Sequence, residues 1–147
     1  MKGEFLDTNV LVYAFDRDAG RKREIASDLV ARLKKNSLGC VSIQVLMEFF
    51  IVATRKMVMP IPSKSCRVIL SNLAAWNVFS PLPADVLRAV EISETYQIHF
   101  WDAMIVRAAS ALRAQILWTE DLADGQVYEG VPVRNPFSAL PADLSSQ

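Results

Sequence analysis

The sequence contains one histidine, His99, and only two cysteines, Cys40 and Cys66. The cysteines lie in apolar or mixed surroundings without metal-ligand spacing, so they read as reduced and structural. Net charge is absent as well, since sixteen Lys and Arg balance sixteen Asp and Glu. That balance argues against a protein that holds nucleic acid by bulk charge alone. No stretch reaches the ~20 apolar residues of a membrane span, because Ser42, Gln44 and Glu48 interrupt the richest one. Nor does the N-terminus carry a basic region followed by an uninterrupted apolar run, because Glu4 and Asp7 come first. The expectation is a soluble, cytoplasmic protein without internal repeats or low-complexity tracts.

What is present can fill a core. At 147 residues and 52% hydrophobic, the chain is most economically one domain over 1–147, with a tail that frays from about residue 138. Residues 4–7 read as a short strand, and 10–15 as the start of a helix or an irregular turn. Over 21–35, Ile25, Leu29, Val30 and Leu33 recur at helical spacing while Arg21, Lys22, Arg23, Arg32, Lys34 and Lys35 take the outer positions. A strand at "CVSI" follows Gly39, and 43–56 is apolar nearly all round, which predicts a buried helix. Two prolines make "MPIPS" a linker. Helices are then expected over 64–75, 84–97 and 101–113, and strands at 77–80, 115–119 and 131–135. Short apolar strands alternating with helices indicate an α/β protein with a parallel sheet covered on both faces. Sites on such sheets lie at the carboxyl ends of the strands.

Four acids are out of keeping with their surroundings: Asp7 after the first strand, Glu48 inside the apolar helix, Asp102 at a helix start and Asp121 after a late strand. Taken singly, Asp7 caps a helix, Asp102 is a first-turn acid favoured by the helix dipole, and Asp121 is a turn residue. Glu48 resists such treatment, because Val45, Leu46, Met47, Phe49, Phe50 and Ile51 leave it no polar face. Their conjunction has a cost: two carboxylates ~5 Å apart at an effective dielectric of ~20 repel by roughly 3 kcal/mol. Protons or a cation relieve it. An all-oxygen donor set suits a hard cation, so Mg²⁺ is expected, with Mn²⁺ as the alternative to it, ahead of zinc. Mg²⁺ commonly bridges carboxylates to phosphate oxygens, which points to phosphodiester or phosphoryl chemistry. Setting these four aside leaves twelve acids against sixteen bases on the rest of the chain.

The stretches "LDTNVLVYAFD" at 6–16, "VLMEFF" at 45–50, "FWDAMIVRAA" at 100–109 and "LWTEDLADG" at 117–125 resemble, in order, the four acidic motifs of PIN-domain ribonucleases, VapC-type toxins especially. The resemblance covers nearly the whole chain. It implies a three-layer α/β/α sandwich with a central parallel sheet and a Mg²⁺-dependent endoribonuclease site. Asp7, Glu48, Asp102 and Asp121 would be the catalytic, metal-binding quartet, although Glu120 and Asp124 compete with Asp121 for the fourth place. Asn9 and Thr119 would support the ligands or orient water. The resemblance also implies an RNA substrate, a small antitoxin partner and a toxin homodimer. Arg17, Arg21, Lys22 and Arg23 either neutralise RNA phosphates or form a solvated helix face. Trp76, Trp101 and Trp118 either stack on bases or, more simply, pack in the core. His99 stands alone beside the third motif and reads as structural. A phosphatase of the haloacid dehalogenase type would want an Asp two positions after Asp7, where this chain has Asn9. A PIN-like RNA-binding or interaction scaffold without catalysis is the alternative from another class.

Overall fold

Strand β1 (Glu4–Leu6) consists of three consecutive buried residues, as a strand covered on both faces requires. It lies in the middle of a six-stranded sheet with β2 (Gly39–Ser42), β3 (Asn77–Phe79), β4 (Ile116–Trp118), β5 (Val127–Tyr128) and β6 (Val131–Arg134), in the order β3-β2-β1-β4-β6-β5. The pairings β1–β2, β1–β4, β2–β3 and β4–β6 are parallel, and only β5 runs antiparallel, against β6. The computed structural model describes residues 2–140.

Six helices connect these strands: α1 (Thr8–Phe15), α2 (Arg21–Asn36), α3 (Ile43–Arg55), α4 (Ser63–Leu73), α5 (Pro83–Tyr96) and α6 (Phe100–Ala111). Helix α1 packs on α2 and α3, α3 packs on α4, and α5 packs on α6. The crossovers from β1 to β2 and from β2 to β3 step one way along the sheet, and the crossover from β3 to β4 steps back. Right-handed connections therefore put α5 and α6 on the face opposite α1–α4, which gives the three layers. The strand order reverses at β1 and β4, and it is there that such sheets open a crevice. No helix among the described residues is long and apolar enough to cross a membrane.

The core runs through Phe5, Leu6, Val41, Leu117 and Val133 of the strands, each fully buried. Helix α3 contributes Val45, Phe49 and Ala53, one face at i, i+4, i+8 spacing. The expectation that α3 is buried all round is corrected: Ile43, Met47 and Ile51 repeat the same spacing on its exposed side. Both cysteines are buried and free. Helix α1 begins at Thr8, two residues earlier than expected, because the Asp7 carboxylate accepts from the Thr8 amide and caps it. Sequence reasoning missed β5. A two-residue turn at Glu129 and Gly130, both with positive φ, joins it to β6, and Glu is an unusual residue there. Residues 138–140 end in a turn, with the Leu140 amide donating to the Phe137 carbonyl. The rest of the tail expected to fray lies outside the described residues.

Glu4, at the amino end of β1, is 4% exposed and is neutralised where it stands. Arg32 donates to both of its oxygens, at 3.1 and 2.8 Å, and Trp118 Nε1 donates at 2.8 Å. The Arg32 hydrogen bonds hold this carboxyl below its usual value of 4.5 against the opposing effect of burial. Its stabilisation is complete above that value and fades as pH falls through the lower, folded one. Arg32→Met is expected to cost about 2 kcal/mol in urea unfolding at pH 7, less than for a fully buried pair because the guanidinium side chain is 44% exposed. Adding Glu4→Gln should recover part of that loss, and a strictly additive double variant would show that the two groups are not coupled.

Candidate metal centre

The register of the β1/β4 ladder builds the site. Leu6 pairs with Trp118, so Asp7 and Thr119 are the first residues beyond the ladder on adjacent strands. The Asp7 amide donates to the Trp118 carbonyl at 3.0 Å, which extends the pairing by one step. Thr119 Oγ1, fully buried, then donates to Asp7 Oδ2 at 2.8 Å while the Thr8 amide donates to Oδ1 at 2.7 Å. Asp7 is thus both a helix cap and a member of the acidic cluster, with no conflict between the two roles.

Asp102 arrives from the first turn of α6, and Asp121 from the loop after β4. One carboxylate oxygen from each of Asp7, Asp102 and Asp121 lies within 4.8 Å of the other two. Asn9 Nδ2 donates to Asp121 Oδ2 at 2.8 Å and to Thr119 Oγ1 at 3.3 Å, and Thr119 Oγ1 also accepts from the Asp121 amide. Asn9 and Thr119 therefore adjoin the acids, in contact with them. Glu48 approaches from α3 and is held at the edge of this group. Thr8 Oγ1 and Gln44 Nε2 both donate to its Oε1, at 3.2 and 3.0 Å. Sequence reasoning missed Gln44 and Thr8. The available signal was a glutamine one helical turn before Glu48 in an otherwise apolar segment.

The two competitors for the fourth place are engaged elsewhere. Glu120 accepts from Tyr13 Oη at 2.6 Å and from Lys22 Nζ at 3.0 Å. Asp124 Oδ1 caps the Asn135 amide at 3.0 Å. The same contacts correct the reading of Lys22 as an outward, phosphate-neutralising cation: it is 7% exposed, and its ammonium sits over the rings of Tyr13 and Phe137. Arg17 and Arg23 remain exposed, as does Arg21, which pairs with Glu24. Trp118 is committed to Glu4, and Trp76 packs where a Cβ on Gly39 would stand, 2.2 Å from its ring. Trp101, by contrast, is 64% exposed, so the expectation of core packing does not hold for it. His99 is also exposed, immediately before α6.

Charge within the cluster goes uncompensated. Among the described residues, no Lys or Arg forms an ion pair with Asp7, Glu48, Asp102 or Asp121. Burial, reinforced by Asp121 and Glu48, pushes Asp7 up to about 7, against the hydrogen bonds from Thr119 and Thr8. Burial likewise raises Asp102, with Asp121 and Glu48 adding to the effect and His99 opposing it. Asn9 Oδ1 is buried without a hydrogen-bond partner. An oxygen-only donor set, mutual repulsion and an orphaned acceptor together fit a hard divalent cation. Beside the acids, Ser93, Gln97, His99 and Leu122 help line an open cleft of about 400 Å³.

The PIN domain family model matches residues 5–124. No curated protein matches the sequence. Among solved structures, the chain resembles a toxin–antitoxin complex from Klebsiella pneumoniae at 22% identity and a TM-score of 0.68, covering 91% of this chain and 98% of that one. It resembles DNA-bound VapBC from Salmonella typhimurium at 18% identity and a TM-score of 0.63, covering 92% and 99%. VapC20 of Mycobacterium tuberculosis, described as a sarcin-ricin loop cleaving toxin, matches at 16% identity and a TM-score of 0.62, covering 78% and 87%. At these identities the likeness is one of fold. With the family model spanning most of its length, the chain belongs to the PIN domain family.

Proposed function

We propose that this chain is a Mg²⁺-dependent endoribonuclease, with Mn²⁺ as an alternative ion, and the toxin of a type II toxin–antitoxin pair. The observation that carries this reading is the set of three carboxylates within 4.8 Å at the carboxyl edge of the sheet. Asp7, Asp102 and Asp121 would hold the ion, with Glu48 at the margin of its site. A divalent cation bound there supplies a water of lowered pKa and neutralises charge on the attacked phosphate.

The chain's own groups do the positioning. Thr119 and the Thr8 amide fix both oxygens of Asp7, and Asn9 fixes Asp121. Gln44 and Thr8 hold Glu48 through one oxygen and leave its second free to orient water or RNA. No His or Cys nucleophile is required, which suits a chain with so few of either. An intact quartet also weighs against a non-catalytic scaffold.

The antitoxin and the homodimer belong to the same proposal. A groove of about 340 Å³ lined by Phe15, Arg17, Arg23, Ile61 and Ile69 offers a partner an apolar floor with a cationic rim. Exposed Leu82, Val86, Leu87 and Val90, at and within α5, supply an apolar ridge of the kind that self-association covers. The proposed compartment is the cytoplasm, where RNA and antitoxin would meet the toxin. Among the structural relatives, one is described as a toxin–antitoxin complex, one as DNA-bound VapBC and one as a sarcin-ricin loop cleaving toxin.

Incubation of the purified chain with RNA tests the reading directly. Cleavage is expected with Mg²⁺ or Mn²⁺, should stop in EDTA and should resume when the ion is restored in excess. Cleavage that persists in EDTA would overturn it.

A further inference from the structure

Every other aromatic side chain among the described residues is buried or half-buried, yet Trp101 is 64% exposed. It directly precedes Asp102 in the first turn of α6. Buried Gln44 ties that turn to the acidic cluster, since its Nε2 donates both to the Trp101 carbonyl, at 3.3 Å, and to Glu48 Oε1. Phe100 meets the Trp101 ring edge-on, with centroids 5.3 Å apart and planes at 69°, and so braces the ring. Met47, 59% exposed, stands across a cleft of about 230 Å³ lined by Gln44, Met47, Glu48 and Trp101. A flat π surface, a polarisable thioether and an ionisable acid thus share one small recess, tied to the acidic cluster through Glu48, which accepts from Thr8, and through Trp101, which precedes Asp102.

We propose that Trp101 and Met47 form a stacking subsite for one unpaired nucleobase of an RNA strand whose backbone passes the acids. This rests on the endoribonuclease reading. The carboxylate of Glu48 disfavours a phosphate in the recess, whereas the face of a base carries no such charge and gains from contact with indole and thioether. Stacking tolerates any base, so the subsite supplies affinity and placement of the strand rather than a choice of sequence. Its reach is local: seating a base here sets the neighbouring phosphodiester beside Asp102.

Binding is separable from cleavage in the Asp102→Asn background, with a fluorescein-labelled single-stranded hexaribonucleotide followed by anisotropy. Trp101→Ala should raise Kd by about 10- to 100-fold, the range that loss of one base–aromatic stack gives, and Trp101→Phe should recover most of it. An abasic hexamer should bind the parent as weakly as it binds Trp101→Ala. In the cleaving protein, Trp101→Ala should lower kcat/KM by about 10-fold or more, with the rise in KM the larger part of the loss. Equal affinity of parent and Trp101→Ala, or equal binding of abasic and intact hexamers by the parent, overturns the subsite. So does a change in oligomeric mass on Trp101→Ala with Kd unaltered, which would make this face a protein interface. If the parent binds RNA through its bases but the unsubstituted protein cuts none with Mg²⁺, the nuclease reading fails and the subsite stands.

Discussion

If the proposed nuclease reading holds, Asp7→Asn and Asp102→Asn should each lower kcat for RNA cleavage by about 10³-fold or more, because each would remove an anionic ligand from a site whose ion would be worth several kcal/mol to the transition state. The substitution nearly preserves shape. In Asp7→Asn the side-chain oxygen can still accept from the Thr8 amide, whereas the bond from the Thr119 hydroxyl is lost, because that oxygen already accepts from Asn9 and the Asp121 amide and cannot accept from the new amide nitrogen as well. Side-chain volume is kept, so the carboxyl edge of the sheet should keep its form. What goes is charge and one acceptor. Asp124→Asn provides the contrast, since Asp124 caps the Asn135 amide away from the cluster, and its kcat should stay within about threefold of the parent. Single-turnover assays at saturating Mg²⁺ separate loss of chemistry from weakened ion binding. Unchanged cleavage by both Asp7→Asn and Asp102→Asn would remove the acids from the mechanism.

The same substitution should stabilise the protein when no metal is supplied. Asp7 stands at about 7 in the folded chain against an ordinary value of 3.8. Between these values the folded state binds more protons than the unfolded one, so stability falls as pH rises. The contribution of protonated Asp7 is complete below about pH 4 and lost once pH passes about 7. Three pH units correspond to about 4 kcal/mol as an upper bound. In EDTA at pH 8, Asp7→Asn should therefore raise Tm by several degrees, at roughly 2–4 °C per kcal/mol for a chain of this size. At pH 5 the gain should shrink, because the parent is then largely protonated. Saturating Mg²⁺ should erase most of this gain, since an ion that binds the folded parent at 100 times its Kd adds about 2.7 kcal/mol and the variant lacks a ligand for it. Thermal scans at two pH values, with and without Mg²⁺, read all three effects. A variant less stable than the parent at pH 8, with its Mg²⁺ response intact, would mean that these carboxylates share no cation.

Much of this site was legible because its residues break local rules. Asp7 and Glu48 stand out as acids within apolar runs, and Asp102 joins them only through the ordered motifs. The fourth acid was legible only as a choice among three neighbours, of which Asp121 is the one that lies with Asp7 and Asp102. Glu120, Asp121 and Asp124 are interchangeable to any local reading, and what separates them is remote: Lys22 of α2 and Tyr13 of α1 engage Glu120, and the Asn135 amide engages Asp124. Lys22 itself was assigned outward because helical periodicity records which residues are apolar, not which cation has found a buried acid and two rings. Helix α3 misled in the opposite direction. Ile43, Met47 and Ile51 are as apolar as the face that is buried, and only tertiary packing distinguishes the two faces. Strand β5 was hidden because a two-residue strand has too little sequence to show a period.

The pairing of Leu6 with Trp118 has a genetic consequence. Because side chains alternate faces along a strand, slipping this ladder by one residue would carry Asp7 away from Thr119 and move the buried side chains of β1 from one covered face of the sheet to the other. The alignment is enforced by the packing of Phe5, Leu6 and Leu117, all fully buried and none of them a member of the acidic cluster. Loss-of-function alleles of this gene should therefore fall in two populations, one erasing an acid and one misaligning a strand. The second class would retain every residue of the acidic quartet.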